Sequence, residues 1–176
     1  MPSPSRFARA RPALLLALAT LAPAAQAGGL DVHAGADIAS IGLPVFPGAV
    51  RQSEKDDPAN GFSFGLWGSS FGIHLNVLAY RSTAGVDEVA GFYRDAMAGY
   101  GTVLDCSLKR AQRAERASGP KRTGKDKPLA CDDDHAEPGG RLYKVGTGVD
   151  ERIVRVRPEA SGVSFQLVRI EARGID

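Results

Sequence analysis

Apolar and polar residues begin to alternate at Phe62. Phe62, Phe64 and Leu66 alternate with Ser63 and Gly65, and beyond Gly68-Ser69 the series Phe71, Ile73, Leu75, Val77 and Ala79 alternates with Gly72, His74 and Asn76. A period of two belongs to strands, so this stretch predicts a hairpin with one buried face. From Val86 the period lengthens, because Val86, Val89, Ala90, Tyr93, Met97 and Tyr100 recur at three- and four-residue steps. That spacing predicts an amphipathic helix. Asp87 and Glu88 stand in its first turn, where the helix dipole favours acids, and Gly99 and Gly101 end it. Residues 102–108 then predict a strand carrying Cys106, and 141–145, 152–157 and 163–170 predict three more.

Upstream of the hairpin the pattern is irregular. Pro44, Pro47 and Gly48 interrupt GLPVFPGA, and Asp56, Asp57, Pro58 and Asn60 follow. Residues 28–61 therefore predict a tethered edge strand or extended arm and then a turn. One amphipathic helix among runs of strands makes the expected fold α+β, an antiparallel sheet with the helix packed on one face in two layers. The strands do not alternate with helices as a parallel nucleotide-binding sheet requires, and no internal repeat is visible. The expected organisation is 1–27 as a signal peptide, 28–61 as an arm or edge segment, and 62–176 as the α+β domain.

The leader assignment rests on Arg6, Arg9 and Arg11, the ten-residue apolar run from Ala13 to Ala22, and the small-x-small site Ala25-Gln26-Ala27. Cleavage is expected after Ala27, because the run has about half of the roughly 20 residues that span a bilayer and Pro23 breaks it. Position 28 is Gly rather than a lipidated Cys, and no later segment is apolar enough to span, so the mature chain is expected to be soluble, either periplasmic or secreted. Composition changes once the leader is set aside. The whole chain carries 22 basic and 20 acidic residues. Three arginines and no acid leave with the leader, giving 19 basic and 20 acidic residues and a formal charge of −1. Global charge therefore argues for no nucleic-acid partner.

Two cysteines in an exported chain, Cys106 and Cys131, are expected to form a disulfide, with a reactive thiol and a metal pair as weaker readings because C-x-x-C spacing is lacking. The bond would close the most unusual segment of the chain. Lys109, Arg110, Arg113, Arg116, Lys121, Arg122, Lys125 and Lys127 face only Glu115 and Asp126 there, a local charge of +6, with Asp132, Asp133, Asp134 and Glu137 following. Such a segment is either a solvated linker or a dock for anionic envelope lipid or polysaccharide. It has no aromatic residue to stack on bases, so specific nucleic-acid recognition is disfavoured. A second basic feature is Arg155 and Arg157 on one strand face, with Arg169 on a neighbouring strand and Glu151 and Glu171 as cross-strand acids.

Catalytic spellings are present without their context. Gly68-Ser69-Ser70-Phe71-Gly72 matches G-x-S-x-G, and Ser70, Asp132 to Asp134 and His135 follow hydrolase order. The strand pattern after Ser70 denies it the helix that a nucleophile elbow needs, so a turn is expected and a serine hydrolase is the alternative reading. Asp132, Asp134, His135 and Glu137 lack the spacing of a calcium loop or a zinc enzyme, so no metal and no cofactor is expected. Ser118-Gly119-Pro120-Lys121 spells S-x-x-K, but Gly and Pro deny it a helix. His74 falls on the strand face opposite the apolar series and reads as a surface residue, and His33 as part of the arm.

GLPVFPGA at 42–49, FGIHLNVLAYRST at 71–83 and GFYRDAMAGYGTVLDC at 91–106 resemble a family of uncharacterised exported bacterial proteins. The resemblance covers 38–106 and implies an envelope or secreted location and a small α+β domain, with no activity attached. The expected function is a non-enzymatic, envelope-associated binding or interaction module. A structural envelope protein with a passive basic loop is a further alternative.

Overall fold

A computed structural model describes residues 28–34, 36–52, 61–108, 129–131 and 134–174. The leader and the whole basic stretch 109–127 lie outside the described residues, as do Asp132 and Asp133. Eight strands follow one another as β1 (Gly29–Ala34), β2 (Val50–Arg51), β3 (Gly61–Trp67), β4 (Gly72–Ser82), β5 (Leu104–Asp105), β6 (Arg141–Thr147), β7 (Asp150–Glu159) and β8 (Gly162–Arg173). Helix α1 (Ile38–Ile41) lies between β1 and β2, and α2 (Val86–Met97) between β4 and β5. All strands join one antiparallel sheet in the order β1-β3-β4-β8-β7-β6-β5, and β2 pairs with β4 at Tyr80 and Arg81, beyond the end of β3.

Three hairpins build most of this sheet. Gly68 donates its N–H to the Phe71 carbonyl at 2.8 Å to close the β3–β4 turn. The β6–β7 and β7–β8 loops are two residues long, since Thr147 pairs with Asp150 and Glu159 with Gly162. Gly162 holds φ at +110° in the second of these, where a Cβ would strike the Ser82 carbonyl region, so only glycine fits. The link from β4 through α2 to β5 crosses β8, β7 and β6 to reach the far edge.

The helix forms where its period predicts. Val89, Ala90, Tyr93 and Met97 are buried on one stripe, with Asp87 and Glu88 at the start and Arg94 at the end. That stripe shares a single core with Leu78 and Tyr80 of β4, Tyr143 and Val145 of β6, Val154 and Val156 of β7, and Phe165 and Leu167 of β8. A smaller cluster of Cys106, Ala136 and Leu142 packs with Cys131 and Ile153. Leu142 alternates with Tyr143 along β6, so this second cluster lies on the opposite face from α2. Cys106 and Cys131 are disulfide-bonded, as expected for the two cysteines.

Three details differ from expectation. The strand expected over 102–108 is only two residues long and Cys106 lies just past it, because the chain there is held by the disulfide cluster rather than by an extended ladder. Within 28–61, β1 forms the edge strand that is one of the two readings, but residues 36–49 contain α1, and Ile41, Leu43 and Phe46 belong to the core. The apolar side of the β3–β4 hairpin, expected to be buried, is mostly half-buried and faces away from α2. Leu78 and Tyr80 share a face with His74 and Asn76, so Phe62, Phe64, Ile73 and Leu75 face the other way, with Leu66 and Phe71 exposed. Among the described residues no helix is long and apolar enough to cross a membrane.

Candidate functional site

The α2 face of the sheet divides in two. Helix α2 packs on β6 and β7 and α1 on β4 and β8, and among the described residues no helix packs on the β1–β3 end of this face. Where the halves meet, charges hold the N-terminal segment down. Arg152 and Arg169 flank Asp150, at 3.2 and 3.0 Å from Oδ1, and Glu171 adds a contact at 2.7 Å to Arg169. Both guanidiniums also donate to the carbonyls at the end of α1, Arg152 Nε to Ile41 at 3.1 Å and Arg169 Nη1 to Ser40 at 3.1 Å. Arg152 lies 3.8 Å above the Tyr100 ring, whose hydroxyl donates to the Gly42 carbonyl. Two cations at the negative end of a helix and a carboxylate between them form a structural clamp.

Burial alone would raise the Asp150 carboxyl, but Arg169 and Arg152 hold it below its usual range. A depressed carboxyl contributes its full stabilisation above the unfolded value and loses it as pH falls through the lower folded value. Acid titration below about pH 4 is therefore expected to weaken the docking of residues 36–46 before α2 is lost. Hydrogen exchange of those amides measures it. Asp150→Asn should flatten the acid response, and an unchanged slope would remove the clamp from the account.

Beyond the clamp, the uncovered half-face is built around Trp67, the only tryptophan in the chain. Register places Gly29 of β1 opposite Trp67, and Gly65 two residues before it on the same face. The indole lies across both: a Cβ on Gly29 would collide with its Nε1 edge, and one on Gly65 would come within 2.6 Å of Cζ3. These glycines seat the ring against the sheet. The His74 ring lies parallel to it within 3°, centroids 5.5 Å apart. A groove of about 500 Å³ opens over this pair, bounded by Gly72, Val149, Glu171 and Arg173. Arg169 engages Glu171, whereas the exposed Arg173 has no acidic partner within 4 Å among the described residues.

The candidates from sequence are mostly scattered. Ser70 is exposed in the β3–β4 turn and is followed by a strand. His135 follows Asp134, whose carboxylate pairs with Lys144 of β6 at 2.6 Å, and two strands separate β6 from β4. Burial alone would lower the Lys144 ammonium, but Asp134 and Glu151 more than offset it and raise it above its ordinary value. Asp134 and Glu137 thus neutralise cations of the sheet, Glu137 meeting Arg157 at 3.2 Å. Arg155 and Arg157 do share a face, but Arg169 points to the other one, and Glu151 pairs with Lys144 rather than with that arginine pair. The eight cations of 109–127 lie outside the described residues. Trp67 was not singled out by pattern reading, although a lone tryptophan two residues after a strand glycine was a usable signal.

These features define a small protein built mostly of antiparallel sheet, with an aromatic pair that no helix covers among the described residues. Compared with models of protein families, with curated proteins and with solved structures, the chain matches none.

Proposed function

We propose that this chain is an exported two-layer α+β binding module, non-enzymatic, that holds a saccharide bearing acidic groups in the open half of its sheet. The observation that carries the reading is the Trp67 indole laid across Gly29 and Gly65 beside His74, with Arg173 at the rim and without an acidic partner among the described residues. An indole face fixed in advance suits the apolar C–H face of a sugar ring and loses little freedom on binding. The Arg173 guanidinium beside it suits a carboxylate or sulfate on the same sugar. The +6 segment 109–127 would raise the local concentration of such a polyanion.

Titration with oligogalacturonate, followed through Trp67 fluorescence and by calorimetry, tests this directly. Trp67→Ala is expected to weaken binding about tenfold or more, close to 1.4 kcal/mol, and Arg173→Gln to remove much of its salt dependence. No binding by the native chain would sink the reading. Binding that survives Trp67→Ala but disappears when the eight loop cations are neutralised would move the site to 109–127. A fluorophosphonate probe is expected to leave the chain unlabelled, and labelling lost in Ser70→Ala would establish the hydrolase instead.

A further inference from the structure

Strand β1 ends the sheet, and among the described residues nothing pairs with its outer side. Natural edge strands are blunted by charge, proline, a bulge or shortness, because unpaired N–H and C=O groups template further pairing. β1 has six residues, no proline and no lysine. Leu30 and Val32, on the face away from α2, are 67% and 63% exposed, among the most exposed large apolar residues described. On the other face Asp31 and His33 touch at 2.6 Å. The strand is thus apolar on one side and carries an acid and an imidazole on the other, two residues apart.

We infer that two copies of the chain pair antiparallel through β1, about a two-fold axis at Val32. This register places Asp31 of each copy opposite His33 of the other and Val32 opposite Val32. A shift of two residues either way would set Asp31 against Asp31 or His33 against His33, so side-chain chemistry selects one register. The pairing is isologous, as a two-fold requires, and keeps matching faces together. Val32 and Leu30 of each copy then pack diagonally across the new ladder. The inference does not depend on the saccharide reading. It does place both Trp67 grooves on the same side of one continuous sheet, about 25 Å apart by strand spacing and rise, which would suit a repeating polymer.

Sedimentation of the oxidised chain over a concentration series, together with two cysteine variants, decides the matter. Native chain is expected to sediment as a dimer, and Val32→Lys as a monomer with unchanged circular dichroism, since like charges then meet on the axis. Mild oxidation should link Val32→Cys to its own copy, whereas Leu30→Cys, four residues out of register with itself and about 13 Å away, should stay unlinked. A native chain that is monomeric at every concentration overturns the inference, as does equal linking by the two variants. Dimer without saccharide binding would refute the proposed function alone, and saccharide binding by a monomer would refute the pairing alone.

Discussion

Tyr93→Ala is expected to cost about 4 kcal/mol, a large part of the stability of a domain this size. Tyr93 is fully buried at the centre of α2's packed stripe. Its ring meets Phe92 edge-on at 5.1 Å and Phe165 of β8 at 5.4 Å, so truncation empties the junction between helix and sheet. Its hydroxyl also accepts the Phe46 N–H at 3.1 Å, tying the GLPVFPGA segment to the helix. Burial pushes that hydroxyl's pKa well above its ordinary value, with the Phe46 bond opposing in part. Tyr93→Phe should cost only about 1–2 kcal/mol, the penalty of a buried N–H left without its acceptor. Urea unfolding of both variants measures the difference. Equal midpoints would mean that the hydroxyl, not the ring, holds the junction.

Reduction of Cys106–Cys131 is expected to lower stability by about 3.5 kcal/mol, the loop-closure figure for 25 residues of separation. The bond sits in the cluster that covers Leu142, and Cys106 donates its N–H to the Leu142 carbonyl at 2.8 Å. β5 has two residues and among the described strands pairs only with β6, so this cluster is a main support of the far edge of the sheet. Loss of the bond also frees the segment that delivers Asp134 to the nearly buried Lys144, leaving an ammonium with one fewer partner. Amides of 104–107 should therefore lose exchange protection first under reductant, ahead of β7 and β8. If thermal midpoint and exchange are both unmoved by reduction, the far edge is held by packing alone.

The elements most visible in the sequence are those whose burial is one-sided. α2 shows because only one stripe of it is covered, and β7 shows because Arg152, Val154 and Val156 face α2 while Ile153 and Arg155 face away. β4 misleads because its coverage changes along its length: from Val77 to Tyr80 both faces are buried, whereas Ile73 and Leu75 are covered only in part. α1 is a single turn whose Asp37 cap and Gly42 stop are local signals too short to stand out beside two prolines. The charge clamp was least legible of all. Arg152 and Arg169 are ordinary strand arginines until the fold brings Ser40 and Ile41 against them across more than a hundred residues. The Trp67 seat depends on Gly29 arriving opposite it from another strand, which no local window contains.

β8 is the last strand in chain order and lies in the middle of the sheet, between β4 and β7. Before it forms, no strand pairing among the described residues joins β1 to β4 on one side with β5 to β7 on the other; the crossover and the contacts of residues 41–46 with α2 and Arg152 connect them. Assembly therefore waits on contacts between residues far apart in the chain, which makes it slow and places it after synthesis of residues 162–173. Until then the growing polypeptide has no closed core among these elements, and the inner edges of both groups of strands stand unpaired.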